Sequence, residues 1–185
     1  MTVYLIRHGK TQGNVERRYI GSTDQPLCPQ GREELVGKTA PAAEKIIASP
    51  LLRCRETAAI LYPGRDMEIV EGFRESDFGA FENHTYEELK DDPRYQAWLD
   101  SAGAAAPPGG ESKGEQQERT VRAFRSVMAA CGKDERVALV VHGGTIMCLL
   151  EALEPSHHFY DWQVPNGGGY VCTWDGERLT VMKAV

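Results

Sequence analysis

The stretch Val3-Tyr4-Leu5-Ile6-Arg7-His8-Gly9-Lys10-Thr11 begins as a short apolar run and stops abruptly at His8-Gly9. Unbroken apolar character of this length marks a strand buried on both faces rather than one alternating with solvent. Two more runs repeat it: Glu44 to Ser49 around Ile46-Ile47, and Arg136 to Val141 around Val137-Ala-Leu-Val-Val141. Met67 to Val70 reads as a fourth strand. The tail, Gly169 to Trp174 and Arg178 to Val185 on either side of Asp175-Gly176, reads as an antiparallel hairpin. Helical stretches separate the strands. They are Pro29 to Ala43; Pro50 to Leu61, with Ser49 as N-cap and Pro50 at the first helical position; and Lys113 to Cys131, opened by Ser112 and Glu115 at capping-box spacing. Thr85 with Glu88 marks another helix start. Strands alternating with helices predict an α/β fold, a three-layer α/β/α sandwich on a mostly parallel sheet with a C-terminal antiparallel hairpin.

At 185 residues, 41% apolar and 26% charged, the chain matches one ordinary globular domain with its own core, which excludes disordered and fibrous classes. The only compositional break, Ser101 to Gly114 with Ala104-Ala-Ala-Pro-Pro-Gly-Gly110, is read as a loop inside a single domain 1–185, with 84–114 as an inserted helix-and-loop cap. Twenty-one Lys and Arg against 27 Asp and Glu leave a formal charge of -6. Such a balance weakens attraction to nucleic acid and to anionic membrane, so neither is expected as a partner, and an anionic ligand must be held by a local basic pocket. Five cysteines, odd in number and without a CxxC pair, read as free thiols in a reducing compartment. Arg7 and His8 interrupt the N-terminal apolar run where a secretory leader would need apolar residues, so a cytoplasmic location is expected.

In open α/β sheets ligands collect beyond the carboxyl ends of the strands. Arg7-His8-Gly9 occupies that place after the first strand, and His142-Gly143-Gly144 occupies it after Val137 to Val141. Each histidine is followed by glycine, which lets a ligand approach the backbone, so both are expected to face one crevice. Imidazole can attack phosphorus, but the transferring phosphoryl carries charge that guanidinium groups and fixed backbone donors must match. Arg7 and Arg53, the latter one turn into a helix that follows a strand, are the natural clamps. A helix starting near Gly143 adds N-terminal amides. The leaving oxygen needs a proton, and the segment Phe73-Arg-Glu75-Ser-Asp77-Phe-Gly-Ala-Phe-Glu82-Asn83 offers three carboxyls among which the residues alone do not choose. His157-His158, in a loop after Glu154-Pro155, are adjacent, point in different directions and lack a third ligand at suitable spacing, so no metal and no cofactor is assigned. Cys54, between two arginines, reads as a small packing residue, and Asn166-Gly-Gly-Gly169 as a turn into the hairpin.

Four separated signatures resemble the histidine phosphatase superfamily, the phosphoglycerate mutase-like enzymes. They are Arg7-His8-Gly9-x-Thr11 with Asn14; Ser49-x-Leu51-x-Arg53-x-x-x-Thr57-Ala58; Glu75-x-x-x-Gly79-x-Phe81-Glu82; and His142-Gly143. The resemblance implies that His8 is a nucleophile that becomes phosphohistidine and that Glu75 is the proton donor. It also implies a phosphate pocket of Arg7, Asn14, Arg53, His142 and Gly143. Cys28 stands where the family often has a Thr or Ser helix cap, Asn83 where glycine is common, and Met147 where many relatives carry arginine.

Gly21-Ser-Thr-Asp24-Gln-Pro26-Leu27 and Pro108-Gly-Gly-Glu111-Ser112 are similar to small bacterial phosphatases, among them the α-ribazole phosphatases. The short span between Glu75 and His142 favours hydrolysis over mutase transfer. The resulting expectation is a cofactor-independent phosphomonoesterase acting on a small phosphorylated metabolite. The alternatives are a mutase that needs a bisphosphorylated primer and a non-catalytic phospholigand-binding protein.

Overall fold

The computed structural model describes residues 1–154 and 156–185; Pro155, which the sequence reading places before the His157-His158 loop, lies outside them. Among the described residues one sheet is built from β1 (Thr2–Arg7), β2 (Lys45–Ala48), β3 (Glu68–Ile69), β4 (Arg136–Val141), β5 (Gly169–Trp174) and β6 (Leu179–Ala184). Their spatial order is β3-β2-β4-β1-β5-β6. The first four are parallel, and β5 and β6 form the antiparallel hairpin against β1. The helices are α1 (Gln12–Val15), α2 (Pro29–Leu35), α3 (Leu52–Leu61), α4 (Tyr86–Leu89), α5 (Pro93–Asp100), α6 (Lys113–Ala129) and α7 (Gly143–Leu153).

Strand β4 shows why the sheet lies between two helical layers. Val137, Leu139 and Val141 enter one core with Phe124 of α6 and Ile146 and Leu149 of α7. Ala138 and Val140, on the opposite face, join Cys54 and Ala58 of α3. All five are buried, and the larger ones contribute roughly 1.5–3 kcal/mol each, so the strand cannot slip register without exposing one set. A third cluster, Phe81, Leu89 and Tyr95, collects Tyr19, Phe78 and Trp98 around itself and anchors α4 and α5. All five cysteines are free. Among the described residues no helix is long and apolar enough to cross a membrane.

Several boundaries differ from the sequence reading, each for a local reason. The helix expected over Pro29 to Ala43 stops at Leu35, because Val36 turns extended and Gly37 adopts φ +86°. Cys28 is its cap, its sulfur accepting from the Gly31 amide at 3.3 Å. The helix expected from Pro50 begins at Leu52, and its N-cap is Leu51 rather than Ser49. The Ser49 hydroxyl is turned to His142 at 2.7 Å. The opening amide of α3, on Leu52, is satisfied by Asp24 Oδ1 at 2.7 Å, a carboxylate at the positive end of the helix. Helix α6 ends at Ala129, short of Cys131, and the strand expected over Met67 to Val70 is only Glu68–Ile69. Both capping boxes, Thr85 with Glu88 and Ser112 with Glu115, are formed. Asn83 takes φ +64°, the left-handed geometry that asparagine tolerates in place of glycine.

Strands β1 and β4 are neighbours, paired Arg7 to Val141 at their carboxyl ends. The chain leaves β1 toward β2, on the far side of β4, and leaves β4 toward β5, on the far side of β1. Connections departing in opposite directions open a crevice between the two strand ends, which is where an α/β sheet holds its ligand.

Candidate active site

His8 and His142 sit side by side at that crevice. The His8 amide donates to Val141 O at 2.9 Å, and the two imidazole rings meet edge to face with centroids 5.2 Å apart. His8 Nδ1 lies 2.6 Å from Gly9 O, an oxygen that only accepts, so Nδ1 carries the proton. Nε2 therefore presents a lone pair, and it has no protein hydrogen-bond partner among the described residues. Burial, with the Arg53 charge beside it, holds the His8 pKa well below the ordinary histidine value of 6.5. His142 is neutral for the same reasons, burial first and Arg53 second. Arg53 Nε donates to its Nδ1 at 3.2 Å, which leaves Nε2–H to donate to Ser49 Oγ.

The two arginines are held by carbonyl oxygens. Arg53 is fully buried, yet its terminal nitrogens donate only to Gly21 O and Thr23 O, each at 2.8 Å. Arg7 donates to Val164 O at 2.7 Å, and its buried Nε has no partner. Among the described residues neither forms an ion pair. Burial lowers the Arg7 pKa; the nearby Glu75 carboxylate opposes that shift, and the Arg53 charge adds to it. Two neighbouring guanidinium groups, Arg53 fully buried and Arg7 half-buried, with neither in an ion pair, are costly in a folded chain unless an anion completes them. Gly143 is packed against Arg7: a Cβ there would stand 3.3 Å from Arg7 Nε.

Glu75 faces the same place. Its Oε1 accepts from Ser76 N at 2.9 Å and Gln116 Nε2 at 2.7 Å, and its Oε2 accepts from Gly144 N at 3.0 Å. Of about four lone-pair sites on a carboxylate, three are taken, and one on Oε2 is open. The other two acidic candidates are engaged elsewhere. Asp77 Oδ1 accepts from Gly79 N and Ser22 Oγ. Glu82 accepts from the amides of Gly21, Ser22 and Thr23. Arg7, Asn14, Glu75 and Gly143 all line one cleft of about 770 Å³, and His8, Arg53 and His142 are buried beside them.

The sequence pattern of the histidine phosphatase superfamily (branch 1) matches residues 3–185. The chain belongs to that superfamily. The Probable phosphoglycerate mutase GpmB of Salmonella paratyphi C is 32% identical over 163 residues, covering 83% of this chain and 74% of that protein. A crystal structure of a phosphoglycerate mutase from Thermus thermophilus superposes with a TM-score of 0.74 at 35% identity, over 98% of this chain and 97% of that one. A structure from Escherichia coli K-12, named provisionally as an alpha-ribazole-5'-P phosphatase, shares the fold with a TM-score of 0.84 at 23% identity, over 98% and 94% of the two chains.

Several supports of this site, Asn166 and Gly167 among them, were given no site role by the sequence, and Thr57 only a place in a signature. Thr57 Oγ1 accepts from Gly9 N at 3.0 Å and donates to Arg53 O at 2.7 Å, which ties the loop after β1 to α3 and explains the spacing of the Ser49 to Thr57 signature. Asn166 Nδ2 donates to His8 O at 3.1 Å, and Gly167 N to the carbonyls of Arg7 and His8. The turn into the hairpin thus also clamps the end of β1. Asn14 closes a capping box with Thr11 while lining the cleft. Cys54 lies 3.5 Å from His142 Nε2, and burial pushes its thiol pKa up, as suits a packing residue rather than a reactive thiolate. His157 packs on Trp162, and among the described residues no group of three or more His, Cys, Asp or Glu is placed to hold a metal ion.

Proposed function

We propose that the chain hydrolyses phosphomonoesters of small metabolites through a phosphohistidine on His8. The observation that carries this reading is the bare Nε2 of a neutral, buried imidazole beside two guanidinium groups whose hydrogen bonds go to carbonyl oxygens and to His142 rather than into an ion pair. In the first step the Nε2 lone pair attacks phosphorus and the bond to the leaving oxygen breaks. Arg7, Arg53 and the Gly143 amide at the start of α7 match the charge on the transferring oxygens. Glu75, protonated at its open Oε2 site, gives that proton to the departing alcohol. In the second step Glu75 takes a proton from water, the resulting hydroxide displaces histidine from phosphorus, and phosphate leaves with His8 neutral again. Residues 1–185 form one domain in this reading, with 84–114 as a cap over the cleft.

The likeness of Gly21 to Leu27 and of Pro108 to Ser112 to α-ribazole phosphatases makes α-ribazole phosphate one candidate substrate. The mutase named among the 32% identical relatives is the competing reading. Release of inorganic phosphate without a bisphosphorylated primer supports hydrolysis; strict primer dependence with phosphate retained on product supports the mutase.

Glu75→Gln is expected to cripple hydrolysis of alkyl phosphates, on the order of 10²-fold or more in kcat, while hurting aryl phosphates with acidic leaving groups much less. Both esters measured on one variant separate this from misfolding, which depresses both. Glu82→Gln should lack the selectivity; if it shows it and Glu75→Gln does not, the acid is misassigned. A second substitution tests the placement of Glu75 without altering it. A Cβ on Gly144 would lie 2.3 Å from Glu75 Oε1. Gly144→Ala is therefore expected to cost at least about tenfold in alkyl phosphate turnover, although alanine is the better helix former. Undiminished turnover would show that the carboxylate position does not matter.

A further inference from the structure

Beyond its phosphate end, the cleft is built from two unlike materials. Tyr19, Phe78 and Trp98 all line it and pack mutually edge to face, with centroids 5.2, 5.7 and 6.1 Å apart. Leu99, Tyr160 and Met147 extend the apolar lining. Leu99 and Tyr160 are also exposed, at 38% and 59%, although large apolar side chains are normally covered, and they come from two different segments, α5 and the turn after α7. At about 770 Å³ the cleft has the volume of a site for a ligand with a sizeable organic body, far more than a three-carbon acid fills.

The second material is charge, and almost all of it is spent. Arg18 is held by Glu16 at 2.7 Å and by Glu88 at 3.0 Å, so two carboxylates surround one guanidinium. Lys113 is paired with Glu151 at 3.0 Å and lies over the Phe159 ring. Glu111 is committed to Arg119 at 2.6 Å. Among the described residues, the cations here without an ion-pair partner are Arg7, which lines the cleft with Glu75, and the buried Arg53, both at the phosphate end. A second anionic group on the substrate would approach a wall whose cations are already neutralised and would be desolvated without a partner.

We infer that the substrate is a phosphomonoester of an uncharged alcohol carrying a planar, aromatic body, which lies against Tyr19, Phe78 and Trp98, and that doubly anionic esters such as phosphoglycerates and bisphosphates are disfavoured. This deepens the hydrolase reading and rests on it. The choice among substrates is made by stacking and desolvation, because the chemistry at phosphorus is common to all of them.

The test compares three esters whose leaving groups are all alkoxides, so that leaving-group acidity does not decide the order: 2-naphthylmethyl phosphate, glycerol 3-phosphate and 3-phosphoglycerate. The expected kcat/KM falls in that order, with at least about tenfold between the first and second, the scale of one aromatic stacking contact. Trp98→Ala should lower the naphthylmethyl-to-glycerol ratio about tenfold, chiefly through KM. Tyr160→Ala, at an exposed position that bears little on folding, should lower it in the same direction by less. A preference for 3-phosphoglycerate, or an unchanged ratio in both variants, overturns the inference and leaves the hydrolase reading standing. No phosphate released from any ester, together with no phosphate bound to His8, overturns the hydrolase reading itself.

Discussion

His8→Ala is expected to abolish turnover, with a loss on the order of 10⁴-fold or more, because no neighbouring group can replace the nucleophile. His142 is the nearest imidazole, yet its Nδ1 accepts from Arg53 and its Nε2 faces Ser49. The adduct should be trapped by rapid quench in alkali, where phosphohistidine survives, and be missing in the variant. A metal chelator should leave the rate unchanged; reversible loss of activity on chelation, with no adduct, would replace this chemistry by a metal-bound hydroxide. The same residue sets a pH dependence. Since burial and Arg53 hold the His8 pKa well below 6.5, the folded imidazole stays a nucleophile at pH values where a free histidine is protonated. The acid limb of kcat/KM should thus lie below the ordinary histidine range. Stability has the opposite sign. Below about pH 6.5 the unfolded chain takes up protons that His8 and His142 refuse, so the melting temperature should fall as the solution is acidified through that window.

Arg53→Lys is expected to cost on the order of 10²-fold or more in kcat/KM, the scale of removing one transition-state donor. An ammonium is a single point with three donors, and it cannot span what the guanidinium now spans. Nε reaches His142, one terminal nitrogen Thr23 O and the other Gly21 O, and the remaining N–H groups are left for the phosphoryl oxygens. Lysine must abandon either the loop or the anion. Phosphate binding, read as competitive inhibition, should weaken alongside kcat. An Arg53→Lys enzyme of near-normal efficiency would remove Arg53 from the reacting centre.

The parts of this arrangement that lie at strand ends are readable from sequence because strand burial writes itself into consecutive residues. Val3 to Ile6 and Val137 to Val141 announce their own strands, and the histidines follow at fixed offsets. Capping boxes at Thr85 and Ser112 are likewise local, with partners three residues apart. Helix α5, absent from the sequence expectations, also carries a legible signal, Asp92-Pro93 as cap and first position. What stays hidden is held by hydrogen bonds across long sequence distances. Glu82 organises the loop 21–23 from about 60 positions away, and that loop turns two carbonyls to Arg53. Asp24 caps α3, displacing the Ser49 cap that spacing suggests. Choosing Glu75 over Asp77 and Glu82 likewise depends on Gln116 and Gly144, neither of which lies near it in sequence.

The two ends of the cleft are anchored in different parts of the molecule. Arg7, His8 and His142 sit at the ends of β1 and β4, strands packed on both sides, where amide exchange should require nearly complete unfolding. The aromatic wall belongs to short helices and turns around Phe81, Leu89 and Tyr95, with Leu99 and Tyr160 open to solvent. Substitutions at the exposed positions of that wall, Leu99 and Tyr160, can retune the accepted alcohol at small cost to folding. On the proposed chemistry, a lineage built on this plan can change the esters it accepts by loop mutation while the strand-end histidines stay fixed, and a directed-evolution library aimed at new esters is best confined to the exposed residues between Tyr86 and Gly110 and of the turn Phe159–Trp162, with Leu89, Tyr95 and Trp162 left in place.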